Sequence, residues 1–270
     1  CYSRTTFTRG FTPLVAPTIL WQTNGIDDAS ADISIGFPRF YFYSCENAAS
    51  NTGVRVSTNG YITFYQQGGG TLDGPDYDND AITSATDPDG YVAGNWDDLI
   101  VMASQGNNDT VSYKTEGSVG FRVLTVEWYS ISRRLGETPP DSSTDYHFFQ
   151  IKLHEQNNNI EIHIGEVGAF WNADTVDNAT IGMENYAGTD GDCGPDCTNT
   201  INDETAAIPN NYRFSPDRPA GDNCNAPICL EPGVLVSGTT LGASYSGFGT
   251  ASCGSGTDVH DVWFRYYAPL

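Results

Sequence analysis

The sequence predicts an all-β protein, an antiparallel β-sandwich followed by a short, incomplete β module at the C-terminus. Three observations predict it. Apolar residues recur with a period of two nearly everywhere. No window long enough for an amphipathic helix keeps the i, i+3, i+4, i+7 spacing. Turn residues punctuate the chain throughout, with 29 Gly and 14 Pro among 270 residues. That length suits one large sandwich core plus part of a second unit.

The elements follow in chain order. Residues Ile33 to Tyr43 form an apolar run interrupted by Gly36 and Pro38. Val54 to Phe64 alternates around Ser57-Thr58-Asn59-Gly60, an Asn-Gly turn between two strands and the strongest hairpin signal in the chain. From Phe121 a long strand places Leu124, Val126 and Trp128 on one face. Phe149, Ile151 and Leu153 alternate, Asn157, Asn158 and Asn159 interrupt, and Ile160, Ile162 and Ile164 alternate again, which predicts a second hairpin. With Asn157-Asn158 as its turn, Leu153 faces Ile162 inside, while His154 pairs with Glu161 and Lys152 with His163 outside. Residues 66–90 and 188–219 read as loops rich in Gly, Asp, Asn and Pro. After Pro216 and Pro219 the composition shifts to small residues and closely spaced cysteines, so the domains are read as 1–219 and 220–270.

Twelve Lys plus Arg stand against 34 Asp plus Glu, a formal charge of -22, which repels nucleic acid and other phosphate-rich partners. No stretch approaches the ~18 apolar residues of a spanning helix, so no membrane span is expected. Seven Cys, two Met and abundant Asn, Thr and Ser fit an oxidising, extracellular compartment. Cys1 opens the sequence with no apolar leader before it, which reads as a mature or excised chain whose first cysteine takes a disulfide or a lipid.

With the strands placed, a resemblance emerges. Ile35 to Phe37, Val54 to Phe64, Gly94-Asn-Trp-Asp-Asp-Leu99, Phe121 to Trp128, Phe149 to Ile164 and Ala179-Thr-Ile-Gly-Met-Glu-Asn185 run in the order seen in nidogen-like and related β-sandwich modules of bacterial surface proteins. The resemblance implies a secreted or cell-surface protein, bacterial in origin, and it carries over no catalytic residue. The tail, from Cys224-Asn-Ala-Pro-Ile228 through Cys253-Gly254 to Asp261-Val-Trp-Phe-Arg-Tyr, is similar to the opening half of a secreted jelly-roll module. Its length is about half of what closing two sheets requires, so the expectation is completion by the first module or by strand addition from a neighbouring copy.

Candidate chemistry is sparse. Asp73, Asp76, Asp78, Asp80 and Asp87 make an oxygen-rich loop of the kind that suits Ca2+, against the plainer reading of a solvated turn full of Asp. Ala81 stands where an EF-hand needs Gly, which excludes that motif. Asp190, Asp192 and Asp196 form a second acidic loop. Asp97 and Asp98 read as neighbours in a strand, so they point to opposite faces and cannot flank one bond. The four histidines form no HExxH motif, and His154 and His163 read as cross-strand polar pairs in preference to zinc ligands. Cys193 and Cys197 are spaced for a small structural disulfide, Cys224 with Cys253 would staple the tail, and the odd cysteine total leaves at least one thiol free or bonded to another chain. Tyr61, Tyr65, Tyr77 and Tyr91 lie near loops and are candidates for stacking on sugar rings. Asn108 and Asn178 head glycosylation tripeptides.

The expected function is therefore non-catalytic: an extracellular structural or adhesive protein binding other copies of itself, as in a fibre joined by β-strand complementation, or a surface glycan or protein. The alternative is a carbohydrate-binding accessory module of a larger secreted protein. A hydrolase would require two carboxylates converging across a cleft from distant parts of the chain.

Overall fold

The computed structural model describes residues 2–43, 51–64, 75–84, 86, 88–102, 108–134, 146–167, 179–195, 197–198, 210–217, 228–230 and 264–266. The strands are β1 (Tyr2–Thr8), β2 (Thr18–Trp21), β3 (Ile26–Asp27), β4 (Ser30–Ser34), β5 (Gly53–Ser57), β6 (Tyr61–Phe64), β7 (Tyr91–Trp96) and β8 (Leu99–Val101). They continue as β9 (Thr110–Glu116), β10 (Val123–Arg133), β11 (His147–His154), β12 (Ile160–Val167), β13 (Thr180–Glu184), β14 (Gly191–Cys193) and β15 (Asn210–Pro216), with β16 (Ile228–Leu230) and β17 (Phe264–Tyr266) in the tail.

Two antiparallel sheets pack face to face. The large sheet runs β1-β15-β12-β11-β10, and beyond β10 it forks: β9 and then β2 pair along one part, β8 and then β3 along the other. The smaller sheet runs β14-β13-β7-β6-β5-β4. In the tail, β16 and β17 pair in parallel, so among the described residues the expected antiparallel jelly-roll strands do not appear there.

The core is made by the alternation visible in the sequence. Leu124, Val126, Trp128, Phe149, Ile151, Leu153, Ile160 and Ile162 of the large sheet are fully buried against Val54, Val56, Ile62, Phe64 and Val92 of the smaller one. Phe42 and Phe64 stack with centroids 4.1 Å apart, which closes one margin of this layer. Each such side chain contributes about 1.5–3 kcal/mol by leaving water.

Two hairpin expectations are tested directly. β5 and β6 pair as Val54↔Phe64 and Val56↔Ile62 around the Thr58-Asn59-Gly60 turn. Gly60 has φ +87, and a Cβ there would stand 2.1 Å from the Asn95 carbonyl, so only glycine fits. β11 and β12 form the second hairpin, but Leu153 faces Ile160 and Ile151 faces Ile162. The register is shifted by two residues from the expected one. An even shift leaves every side chain on its intended face, so the hydrophobic pattern cannot distinguish the two registers; the wider turn through Asn158, at φ +54, decides.

Other expectations need correction. The 33–43 run is strand only to Ser34, and Phe40 then makes an isolated bridge with Asn51. The segments read as loops contain core: Ile82 is buried, and β15 delivers Tyr212 and Phe214 to the interior.

The N-terminal residues had no reading in the sequence. β1 pairs with β15 at one margin of the large sheet and β2 with β9 at the other, so residues 9–17 must cross the outer face of the sheet. Six inter-strand steps of ~4.8 Å make ~29 Å, close to the ~33–36 Å reach of ten fully extended residue steps. Successive strands hold this strap by its backbone. Asn211 Nδ2 donates to the Gly10 carbonyl at 2.9 Å, Gln150 Nε2 to Thr12 at 2.8 Å and Lys114 Nζ to Val15 at 2.6 Å, while Glu127 Oε2 accepts from Leu14 N at 2.9 Å. The strap therefore accounts for the burial of Glu127 and Gln150 on a sheet face that alternation assigns to solvent.

Candidate metal centre

The site is built from three turns that the smaller sheet and its neighbours bring together. Asp27 and Asp28 stand where β3 turns into β4, Asp97 and Asp98 in the turn from β7 into β8 and not in the strand expected of them, and Asp76 to Asp80 in the loop before β7. The hub is Asn59, fully buried in the β5–β6 turn. Its Nδ2 donates to Asp28 Oδ1 at 2.9 Å and to the Asp76 carbonyl at 3.1 Å, its Oδ1 accepts from Leu99 N at 3.2 Å, and its carbonyl accepts from Asp97 N at 3.3 Å. One buried amide thus ties all three segments.

Two aromatic side chains prop the Asp76 loop. Trp96 Nε1 donates to the Asp76 carbonyl at 3.0 Å, and Asp76 N donates to the Tyr61 hydroxyl at 2.8 Å. Trp96 reaches this place because the β13–β7 register shifts between Thr180↔Trp96 and Gly182↔Ala93. The extra residue turns the indole onto the outer face of the smaller sheet, where it packs with Tyr61, Tyr91 and Ala93 in a cluster separate from the main core. Tyr61 and Tyr91 are consequently buried, at 3% and 1% exposure. Their rings lie 4.8 and 5.2 Å from that of Trp96, so neither presents a face to a sugar. Burial pushes the Tyr61 hydroxyl up to about 12. Tyr77 is exposed and Tyr65 lies outside the described residues.

One carboxylate oxygen each from Asp27, Asp28 and Asp98 lie within 4.8 Å of one another. Asp28 adopts φ +44 to take its place, a left-handed conformation that Asp tolerates better than most residues. Arg134 Nη1 pairs with Asp27 Oδ2 at 2.8 Å. Asp27 Oδ1 and Asp98 Oδ1 are buried oxygens with no hydrogen-bond donor among the described residues. Burial first, and then the charges of Asp27 and Asp28, push the Asp98 carboxyl up to about 6 against the pull of Arg134. Burial likewise raises Asp27, with Asp28 adding to it. Three carboxylates facing one another with two oxygens unsatisfied form a hard-oxygen donor set. That set fits Ca2+, which takes six to eight oxygens in a flexible shell completed by carbonyls and water. The same charges, uncompensated, repel.

The expected Ca2+ loop occupies the rim of this centre. Asp76 is raised by burial and then feels Asp78, Asp80 and Asp28, while its Oδ1 accepts from Asp78 N at 3.0 Å in a local turn. Asp80 is engaged elsewhere: its Oδ2 accepts from Thr86 at 2.6 Å and its carbonyl from Thr180 at 2.6 Å. Asp78 is exposed, and Asp73 and Asp87 lie outside the described residues. Asp76, Asp78 and Asp80 are absent from the convergent set; the loop contributes its field, and the convergent carboxylates are Asp27, Asp28 and Asp98. Asp97 itself is withdrawn from that set by a 2.6 Å ion pair with Arg133.

Other candidates resolve as follows. Cys193 and Cys197 are joined in a disulfide, with Cα atoms 5.0 Å apart. Cys224 and Cys253 lie outside the described residues, as does Asn178; Asn108 is exposed, with Thr110 Oγ1 donating to its carbonyl at 2.8 Å. Asp190 precedes β14 and Asp192 lies within it, raised by burial against the pull of Arg4, and Asp196 lies outside the described residues. His163 and His154 both approach one carboxylate, Glu161, at 2.8 and 3.5 Å, beside Arg213 at 2.6 Å. Burial alone would raise Glu161, and these three partners together hold it well below the usual carboxylate range. This is a charge-paired outer face.

An all-β sandwich with a loop-borne carboxylate cluster at one end, and no helix among the described residues that is long and apolar enough to cross a membrane, defines the class as a β-sandwich module. A family model described as "NIDO related" matches residues 1–216, ending with β15. The chain belongs to this nidogen-related family, and membership points to an extracellular module. Comparison with curated proteins and with solved structures finds no match.

Proposed function

We propose that this protein is a non-catalytic, extracellular structural or adhesive module whose loop-bearing end is locked by a divalent cation, Ca2+ by preference. The observation that carries the reading is the convergence of Asp27, Asp28 and Asp98 from two turns about 70 residues apart, with two buried oxygens left without donors. A cation there cancels the repulsion and ties the β3–β4 turn to the β7–β8 turn, beside the loop held by Asn59. Stiff loops suit a module that must hold a partner under load, whether that partner is a surface glycan, a protein or another copy of the chain. Assembly into a fibre by strand complementation is the extended form of this proposal, and the outer margin of β1 supplies the edge it requires.

The test is thermal unfolding with Ca2+ and with chelator. Saturating Ca2+ raises the melting temperature, since a ligand present at ~100 times its Kd adds about 2.7 kcal/mol. Asp98→Asn removes most of that rise while leaving the chelated protein at least as stable as the parent, because it relieves a repulsion. A Ca2+-independent melting temperature in the parent sinks the cation; an equal rise in Asp98→Asn moves it elsewhere.

A further inference from the structure

The outer face of the large sheet carries a 550 Å³ pocket between the strap and the strands, with Arg9 and Phe11 on one side and Tyr129, Phe148 and Gly165 on the other. Its volume lies within the ~300–1,000 Å³ range of small-ligand sites.

Two ladder irregularities coincide here. Between Trp128↔Phe149 and Ile131↔His147, β10 spends two residues, Tyr129 and Ser130, against Phe148 alone. Between Phe149↔Ile164 and His147↔Val167, β12 likewise spends two residues, the first of them Gly165, against the same Phe148. Ser130 takes φ +57 to absorb the first. One residue is thus opposed by a bulge on each flank. Bulges re-aim side chains and are over-represented next to functional sites. Here they gather Tyr129 and Phe148, whose rings meet edge to face at 4.8 Å, and Phe11 of the strap closes the corner at 5.8 Å from Phe148. Gly165 keeps the floor open, since a Cβ on it would stand 2.6 Å from Phe148 Cβ and 2.9 Å from Phe11 Cγ.

We infer that this pocket binds a neutral sugar ring. Charge selects the class. Anionic ligands approach a chain of formal charge -22, and a cationic one meets Arg9 in the pocket wall. A neutral pyranose uses both surfaces, its C–H face against the aromatic wall and its hydroxyls toward the guanidinium and the strap backbone. The inference rests on the adhesive part of the function proposed above and supplies its ligand class; it draws on none of the residues of the acidic cluster.

The experiment is saturation-transfer NMR on the whole chain with methyl glycosides of glucose, galactose, mannose and N-acetylglucosamine, cellobiose, and glucuronic acid as the anionic control. At least one neutral probe receives saturation, with equal strength in Ca2+ and in chelator, and glucuronic acid receives none. Tyr129→Ala weakens that binding by ~10-fold or more, as loss of an aromatic contact does at the centre of a site. Phe11→Ala, on the strap, serves as the second variant should Tyr129→Ala lower the melting temperature. No transfer to any neutral probe, preference for glucuronic acid, or unchanged binding in both variants overturns the inference. Each of these outcomes is read independently of the Ca2+ melting shift, so failure of the sugar site and failure of the cation site are distinguishable.

Discussion

Glu184 shows how much a single residue is asked to carry. It sits on β13 with no exposure, its Oε2 accepts from Ser84 N at 2.8 Å, and burial, with Asp89 adding to it, pushes its carboxyl up to about 7 despite backbone donors from Ser84 and Thr83. The folded value lies above the unfolded one, near 4.5, so the folded state binds the proton more tightly. Stability from this group is full below about pH 4.5 and is lost as pH rises through about 7. Glu184→Gln keeps an acceptor for Ser84 and needs no proton. We expect the variant to match the parent near pH 4 and to exceed it by roughly 1–3 kcal/mol at pH 8, read from denaturant unfolding in chelator. Parallel pH profiles for the two proteins would sink the assignment. Asp98 adds a slope of the same sign in chelator, which Ca2+ abolishes in the parent. Asp98 stands out in the sequence only as half of an adjacent-acid pair, and Glu184 does not stand out at all. Glu184 looks like one more acid in an alternating strand, and the partners of Asp98 lie about 70 positions away, so their convergence is a property of turns that periodicity does not place.

At the scale of elements, legibility follows the strength of local rules. The β5–β6 hairpin was readable in its place, because Asn59-Gly60 separates two alternating runs, while its register is set by a three-residue turn, Thr58-Asn59-Gly60, one step from what a two-residue Asn-Gly turn gives. The β11–β12 hairpin was readable in its faces, while Asn157, Asn158 and Asn159 offered several turns that alternation alone could not rank. The strap was not readable at all: residues 9–17 have no period, because an extended segment crossing a sheet is fixed by the strands beneath it. Those anchors can be tested. Gln150 Nε2 donates both to the Thr12 carbonyl and to Glu127 Oε2, at 2.8 and 2.6 Å. Gln150→Leu leaves the buried Glu127 with fewer donors, a cost of about 1–3 kcal/mol. Hydrogen exchange at residues 10–15 should rise along with that loss. Unchanged protection there would mean that the strap is held without this anchor.

At the scale of the whole molecule, the question is whether copies join. Each chain carries a formal charge of -22, so copies repel one another at low ionic strength, and any association must be short-range. β1 offers such a contact: its seven residues pair with β15 on one side, most of its side chains are exposed, and no described strand pairs along its outer margin. A strand added there needs only backbone hydrogen bonds, and a head-to-tail contact that does not close generates a fibre. We expect particles longer than one chain, by light scattering and electron microscopy, at ~0.15 M salt with Ca2+, and shortening when salt and Ca2+ are withdrawn and the charges are unscreened. Reductant separates the remaining contribution, since a disulfide between chains yields to it and a β-ladder does not. Particles of single-chain mass under every condition would remove the fibre from the proposal and leave a module that acts alone, with its cation and its sugar pocket still to be judged by their own measurements.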